Sequence, residues 1–218
     1  MKRVNFGFFS QWEEKFLWGV VKKIPSWITP DMLSFSAFFA FIFSGLIYYL
    51  AGKNLNLLWL INFLIFYHWL ADGLDGKLAK FRGKSRPNYG YYLDHLLDST
   101  AVTGVILGIY FSPLTDTFWA IIFLSLILLL MINAYLIHSV SKVFYLSYGK
   151  IGGTEGRFLL IIFNILIWFL KNKKLTLFKF NLSLADWVFF VSSLFLLIIF
   201  LTSFFKNISY LKKEKFQF

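Results

Sequence analysis

The sequence predicts an all-α integral membrane protein with six transmembrane helices and an N-terminal amphipathic helix lying in the membrane interface. Three observations carry that prediction: a composition too apolar for water, six long runs without a charged residue, and an uneven division of basic residues among the connections.

Of the 218 residues, 58% are hydrophobic and 22% aromatic, while only 15% are charged. A soluble domain carries nearer a quarter. Runs free of Asp, Glu, Lys and Arg cover residues 32–52, 54–71, 99–115, 117–141, 158–170 and 187–205. Crossing a bilayer takes about 20 apolar residues. The run from Phe158 is short, but it reaches spanning length if its helix begins near Thr154. A soluble helical protein is set aside because such runs would leave almost nothing to face water.

A formal net charge of +11 raises nucleic acid as a partner. The placement of that charge excludes it. With a cytoplasmic N-terminus, only Lys53, Lys171, Lys173, Lys174 and Lys179 of the 22 basic residues fall on the outer side. This is the positive-inside pattern of a multi-pass cell-membrane protein with both termini in the cytoplasm. The group from Lys171 to Lys179 runs against the pattern and is expected in a surface-lying loop. The chain has no cysteine, which rules out disulfides, thiolate metal sites and a cysteine nucleophile.

Along the chain, residues 6–28 break their apolar stretches with Glu13, Glu14, Lys15, Lys22 and Lys23, unlike a cleaved signal peptide. Such a segment suits the inner leaflet, with aromatics toward lipid and charges toward water. Pro30 and Asp31 precede the first span, where a proline at a helix start costs little. Short outer turns are expected at residues 52–56 and near Ser112, Pro113 and Asp116. An inner connection follows the second span, from Asp72 to about Gly90. A later connection, residues 141–156, contains GKIGGTEGR. Residues 1–218 form a single membrane domain with no repeat.

The segment DGLDGKLAKFRGKSRPNYGYYLDHLLD, residues 72–98, gathers four aspartates and five basic residues at the edge of the apolar runs. Asp72 and Asp75 are three apart and Asp94 and Asp98 four apart, so each pair shares a helix face. Two helices can therefore present four carboxylates to one point, where they would repel. Carboxylates without cysteine suit hard divalent ions, Mg2+ or Mn2+. Two such ions about 3.5–4 Å apart can clamp a diphosphate. Lys77, Lys80, Arg82, Lys84 and Arg86 would attract its phosphates, and Gly73, Gly76 and Ala79 would let a nucleotide approach the second helix. The plainer reading is a wetted loop paired by salt bridges, its basic run no more than a topogenic patch.

The segment resembles the CDP-alcohol phosphotransferase family, whose pattern is D-x2-D-G-x2-A-R, an eight-residue spacer, then G-x3-D-x3-D. Here it reads DGLDGKLAK from Asp72 to Lys80 and GYYLDHLLD from Gly90 to Asp98. Lys80 replaces the family arginine, which keeps the charge but loses the bidentate fork. The spacer is one residue longer. GGTEG at residues 152–156 and DHLLDS at residues 94–99 resemble the choline and ethanolamine phosphotransferase branch.

The resemblance implies transfer of a phosphoalcohol from a CDP-linked donor to an acceptor alcohol with release of CMP, one of the two substrates being lipidic, by a homodimer. Two pairings stay open: CDP-diacylglycerol with a water-soluble acceptor, or CDP-choline or CDP-ethanolamine with diacylglycerol. It also implies that Asp72, Asp75, Asp94 and Asp98 bind a metal pair. Gly76, Ala79 and Gly90 would pack near the cytidine nucleotide, and Lys80 near the phosphates. Asp98 would serve as general base, with His95 the alternative. His68 is expected as a packed structural histidine partnered by Asp72, and His138 is ambiguous. Glu155 suits a helix start, and both it and Arg157 suit contact with a phosphate-bearing substrate. An inactive relative acting as a scaffold and a cation or metabolite transporter are the competing functions.

Overall fold

The computed structural model describes residues 2–4, 7–141, 143–145, 147–148, 151–177 and 179–213. Among these, the chain is dominated by seven helices: α1 (Ser10–Val21), α2 (Pro30–Ala51), α3 (Leu57–Phe81), α4 (Pro87–Tyr110), α5 (Trp119–Ser141), α6 (Gly153–Leu170) and α7 (Leu184–Lys213). Three small strand pairs decorate the ends. β1 (Lys2–Val4) runs parallel to β2 (Val143–Tyr145), β3 (Ser147–Tyr148) pairs with β4 (Ile151–Gly152), and β5 (Lys174–Leu177) forms a hairpin with β6 (Phe180–Ser183). That hairpin takes the place of the loop expected around Lys171 to Lys179. Lys142, Gly149, Lys150 and Lys215 lie outside the described residues.

Five helices, α2, α3, α5, α6 and α7, are long and apolar enough to cross a membrane. At 24 residues α4 matches them in length, but Asp94, His95 and Asp98 in its first half keep it out of that apolar group. α6 begins at Gly153, which extends the short run of residues 158–170 to 18 residues. The largest difference from expectation concerns the acidic segment. α3 continues to Phe81 and α4 begins at Pro87, so the connection shrinks from residues 72–90 to residues 82–86, with both aspartate pairs on helices as their spacing implies. Pro87 at the helix start, where a missing N–H has no cost, explains why α4 begins there.

α2 is the central helix, packed on α3 along one side and α4 along the other. Its contact with α4 depends on glycine. A Cβ on Gly108 would lie 2.0 Å from the Gly45 carbonyl oxygen, and a Cβ on Gly45 would lie 2.5 Å from the Gly104 oxygen. Gly104 and Gly108 form a small-xxx-small pair that lets the two backbones touch. Below this crossing, Tyr48 Oη donates to Asn164 Oδ1 (2.7 Å), and Asn164 Nδ2 donates to Asn62 Oδ1 (2.7 Å). This buried relay joins α2, α6 and α3 inside a core containing Ile61, Ile65, Val105, Ile109 and Ile167.

At the end of the bundle away from the acidic pairs, Ser183 and Asp186 start α7. Ser183 Oγ accepts the Asp186 N–H at 3.0 Å, a helix cap of the S-x-x-D type. The fully buried Asp186 carboxylate accepts the Thr117 hydroxyl (2.6 Å) and the Asp116 N–H (3.0 Å). The α4–α5 turn is thereby fastened to α7.

Two substitutions test these supports by thermal unfolding of the purified protein in detergent. Gly108→Leu must displace backbone, and is expected to cost about 1–3 kcal/mol; Gly19→Leu, at a position with open space around it, serves as the control. Asp186→Ala removes the acceptor of the Thr117 and Ser183 hydroxyls and of the Asp116 N–H, and is expected to cost about 1–3 kcal/mol, lowering the unfolding midpoint.

Candidate active site

The C-terminal turns of α3 carry Asp72 and Asp75, and the first turns of α4 carry Asp94 and Asp98. All four line one cleft with Ser34 and His68, closed on its apolar side by Ala37, Phe38 and Leu97. Asp72, Asp75 and Asp94 each place one carboxylate oxygen within 4.8 Å of the others. Three converging oxygens with no sulfur donor form a set suited to a hard divalent cation.

Each carboxylate has its own support. Asp75 accepts the Ser34 hydroxyl from α2 and the N–H of Gly76. Asp72 Oδ2 accepts from Arg157 Nη2 at 2.7 Å. The same nitrogen lies 3.5 Å from Asp98 Oδ1, so the guanidinium sits between Asp72 and Asp98. Asp98 Oδ1 is also 3.8 Å from His68 Nε2. The buried His68 thus lies beside Asp98 on α4, in addition to its electrostatic contact with Asp72 one turn along its own helix. Its ring stacks on Phe41, with centroids 4.2 Å apart.

His95 Nδ1 lies 3.6 Å from Asp94, but its ring is packed against Tyr91 and parallel to Tyr135, at centroid distances of 4.1 and 4.7 Å. It is not among the residues lining the cleft. Gly76 and Gly90 both have open space where a side chain would project, Ala79 is partly buried, and Lys80 is exposed. Gly73 is different: a Cβ there would meet Leu17 of α1 at 2.6 Å, so its small size admits α1, not a ligand.

The basic run divides by partner. Arg82 donates to the backbone oxygens of Ile24, Pro25 and Ile28, clamping the α1–α2 connection. Arg86 Nη2 donates to both oxygens of Asp31, at 2.6 and 2.8 Å, and joins the start of α4 to the start of α2. Lys77 pairs with Glu14 at 3.0 Å. Partial burial would raise the Glu14 carboxyl, but hydrogen bonds from Lys77 and Trp18 and the nearby charges of Lys77 and Lys80 hold it below the ordinary value. Among the described residues, Lys80 and Lys84 make no ion pair.

α6 presents Arg157 because its first turn is fixed from two directions. Glu155 accepts the N–H of Gly152 (2.8 Å) and that of Phe9 (3.0 Å), the helix-start role expected of it. Thr154 donates to Glu13 (2.8 Å), whose other oxygen accepts Trp69 Nε1 (3.0 Å). The bridging place of Arg157 and the support from Ser34 are additions that spacing along the chain does not reveal. The sequence offers Arg157 as a contact for a phosphate-bearing substrate, at the last charge before the short apolar run from Phe158, and not as a partner of Asp72 and Asp98.

Comparison with known proteins bears on this constellation. Ethanolaminephosphotransferase 1 of Homo sapiens is 29% identical over 103 residues, 42% of this chain and 26% of that protein. The Mus musculus protein of the same name is also 29% identical over 103 residues, with the same coverage. The chain thus matches about a quarter of the length of these curated relatives. The match to the CDP-alcohol phosphatidyltransferase family is broader, covering residues 27–205 and so α2 to α6, the whole acidic cluster and most of α7. By that match, the chain belongs to the CDP-alcohol phosphatidyltransferase family.

Proposed function

We propose that this protein catalyses metal-dependent transfer of a phosphoalcohol group from a CDP-alcohol to an acceptor alcohol, releasing CMP, in phospholipid synthesis. The observation that carries the proposal is the convergence of Asp72, Asp75 and Asp94 within 4.8 Å, beside Asp98 in the same cleft. These three carboxylates would hold Mg2+ or Mn2+. Bound there, divalent ions would supply Lewis-acid neutralisation of the donor diphosphate.

The chain's own groups do the rest. Asp98 accepts the proton of the acceptor hydroxyl as its oxygen forms a bond to the transferred phosphorus. The bond from that phosphorus to the CMP oxygen breaks, and CMP leaves with the electron pair. Asp98 is preferred to His95 as base because it lines the cleft, whereas the His95 ring is occupied by Tyr91 and Tyr135. The open flanks of Gly76 and Gly90 admit the nucleotide next to the backbone, with Ala79 on the same helix. Lys80, exposed and without an ion pair among the described residues, attracts the diphosphate.

Residues 1–218 act as one membrane domain. α4 serves as the sixth span, its second half packed into the core through Val105, Ile106 and Ile109. α1 lies along the cytoplasmic face, with Trp12 and Phe16 exposed toward lipid. In this reading the cleft faces the cytoplasm, which the basic residues around it support.

The deciding assay is CMP release by purified protein with Mg2+ or Mn2+, across paired CDP-alcohol donors and acceptors. Asp98→Asn is expected to reduce acceptor-dependent release by at least about 100-fold while Mn2+ still raises the unfolding midpoint; Asp75→Asn is expected to lose both. No CMP release from the unaltered protein with any pair would overturn the proposal. Lys80→Ala is expected to raise the donor KM about 5- to 10-fold, on the order of 1 kcal/mol, and Lys80→Arg to leave it unchanged or lower.

A further inference from the structure

Asp98 differs from the other three aspartates in its surroundings. Two groups from two other helices approach the same oxygen of its carboxylate. Arg157 Nη2 of α6 lies 3.5 Å from Oδ1, and His68 Nε2 of α3 lies 3.8 Å from it. Neither group is loosely placed. The His68 ring is 2% exposed and stacked on Phe41, and its Nδ1 has no hydrogen-bond partner among the described residues, so burial and stacking hold the ring in place. Arg157 is anchored through its 2.7 Å hydrogen bond to Asp72 and through the fastened first turn of α6.

Resting on the phosphotransferase reading above, we propose that Arg157 and His68 are positioning residues that hold Asp98 by Oδ1, apart from the Asp72–Asp75–Asp94 set, and leave Oδ2 to take the acceptor proton. The chemistry favours this division of labour. A carboxylate drawn fully onto a divalent ion loses basicity. A guanidinium between Asp72 and Asp98 keeps the fourth aspartate beside the metal-binding oxygens without merging it into them. Arginine stays protonated throughout and cannot take the proton itself, so it fixes the base without competing for its task. Both groups act through Asp98, and a carboxylate misplaced by about 1 Å loses on the order of 100-fold in rate.

The test compares Arg157→Gln, Arg157→Lys, His68→Leu and His68→Gln in the purified full chain. It measures kcat and donor KM for CMP release, and Mn2+ binding by the loss of the free-ion electron paramagnetic resonance signal. The expected result is a kcat reduced about 10- to 100-fold in Arg157→Gln and His68→Leu, with donor KM and Mn2+ affinity within about threefold of the parent. Arg157→Lys is expected to recover at least about tenfold of the kcat lost in Arg157→Gln. His68→Leu removes no permanent charge, and it carries the test if Arg157→Gln fails to fold. A raised donor KM at unchanged kcat would make Arg157 a substrate-phosphate ligand and overturn the inference. So would a tenfold change in Mn2+ affinity, or variants with parental kcat. An unaltered protein that releases no CMP would overturn the phosphotransferase reading itself, and the positioning role with it.

Discussion

Repulsion among four carboxylates gathered in one cleft between apolar helices is the constraint that the rest of the molecule answers. Two like charges about 4 Å apart repel by about 4 kcal/mol at the effective dielectric of a partly buried site. The fold meets that cost with specific neighbours. Ser34 and the Gly76 N–H take Asp75, and Arg157 lies between Asp72 and Asp98. His68 completes the set on the far side of Asp98. These groups come from α2, α3 and α6, so the cluster depends on a correctly assembled bundle and not on one helix hairpin.

The supports for that assembly lie outside the cluster. The glycines of the α2–α4 crossing bring those two helices to backbone contact, while the Ser34 hydroxyl ties α2 to Asp75 on α3. On the same end, α1 is held by Leu17 on Gly73, Glu14 on Lys77 and Glu13 on both Trp69 and Thr154. Arg82 and Arg86 then close the segment between α1 and α4 onto the carbonyls and carboxylate nearest to them. Much of the basic run is therefore architectural. Only Lys80 and Lys84, among the described residues of that run, have neither an ion pair nor a side-chain hydrogen bond.

The sequence made the aspartate pairs legible because helical spacing converts directly into a shared face. Asp72, Asp75 and Asp94 converge as that spacing implies. The apolar runs likewise became helices, including the short one ending at Leu170, once residues from Gly153 were added. What the sequence hid were contacts between distant segments. Gly73 looked like room for a ligand because nothing in a linear reading announces Leu17 against it. His68 sits one turn before Asp72, and helix packing also brings it beside Asp98, which spacing along the chain does not show. Ser34 and Arg157, 38 residues before and 85 after Asp72, carry no periodic signal that links them to it. Asp186 stands just before an uncharged run, but the S-x-x-D cap that precedes that run is a readable sign of a helix start.

The buried relay from Tyr48 through Asn164 to Asn62 also bears on how the protein is made. α6 is an 18-residue helix carrying both Asn164 and Arg157, two groups that hydrocarbon disfavours. Their partners, Asn62 and Tyr48 for one and Asp72 for the other, belong to α2 and α3, which leave the ribosome first. α6 is thus a poor candidate for entering lipid alone and a good one for entering beside helices already in place. Biogenesis of this bundle is in that respect templated: the early helices furnish the polar contacts that make the late one compatible with the membrane.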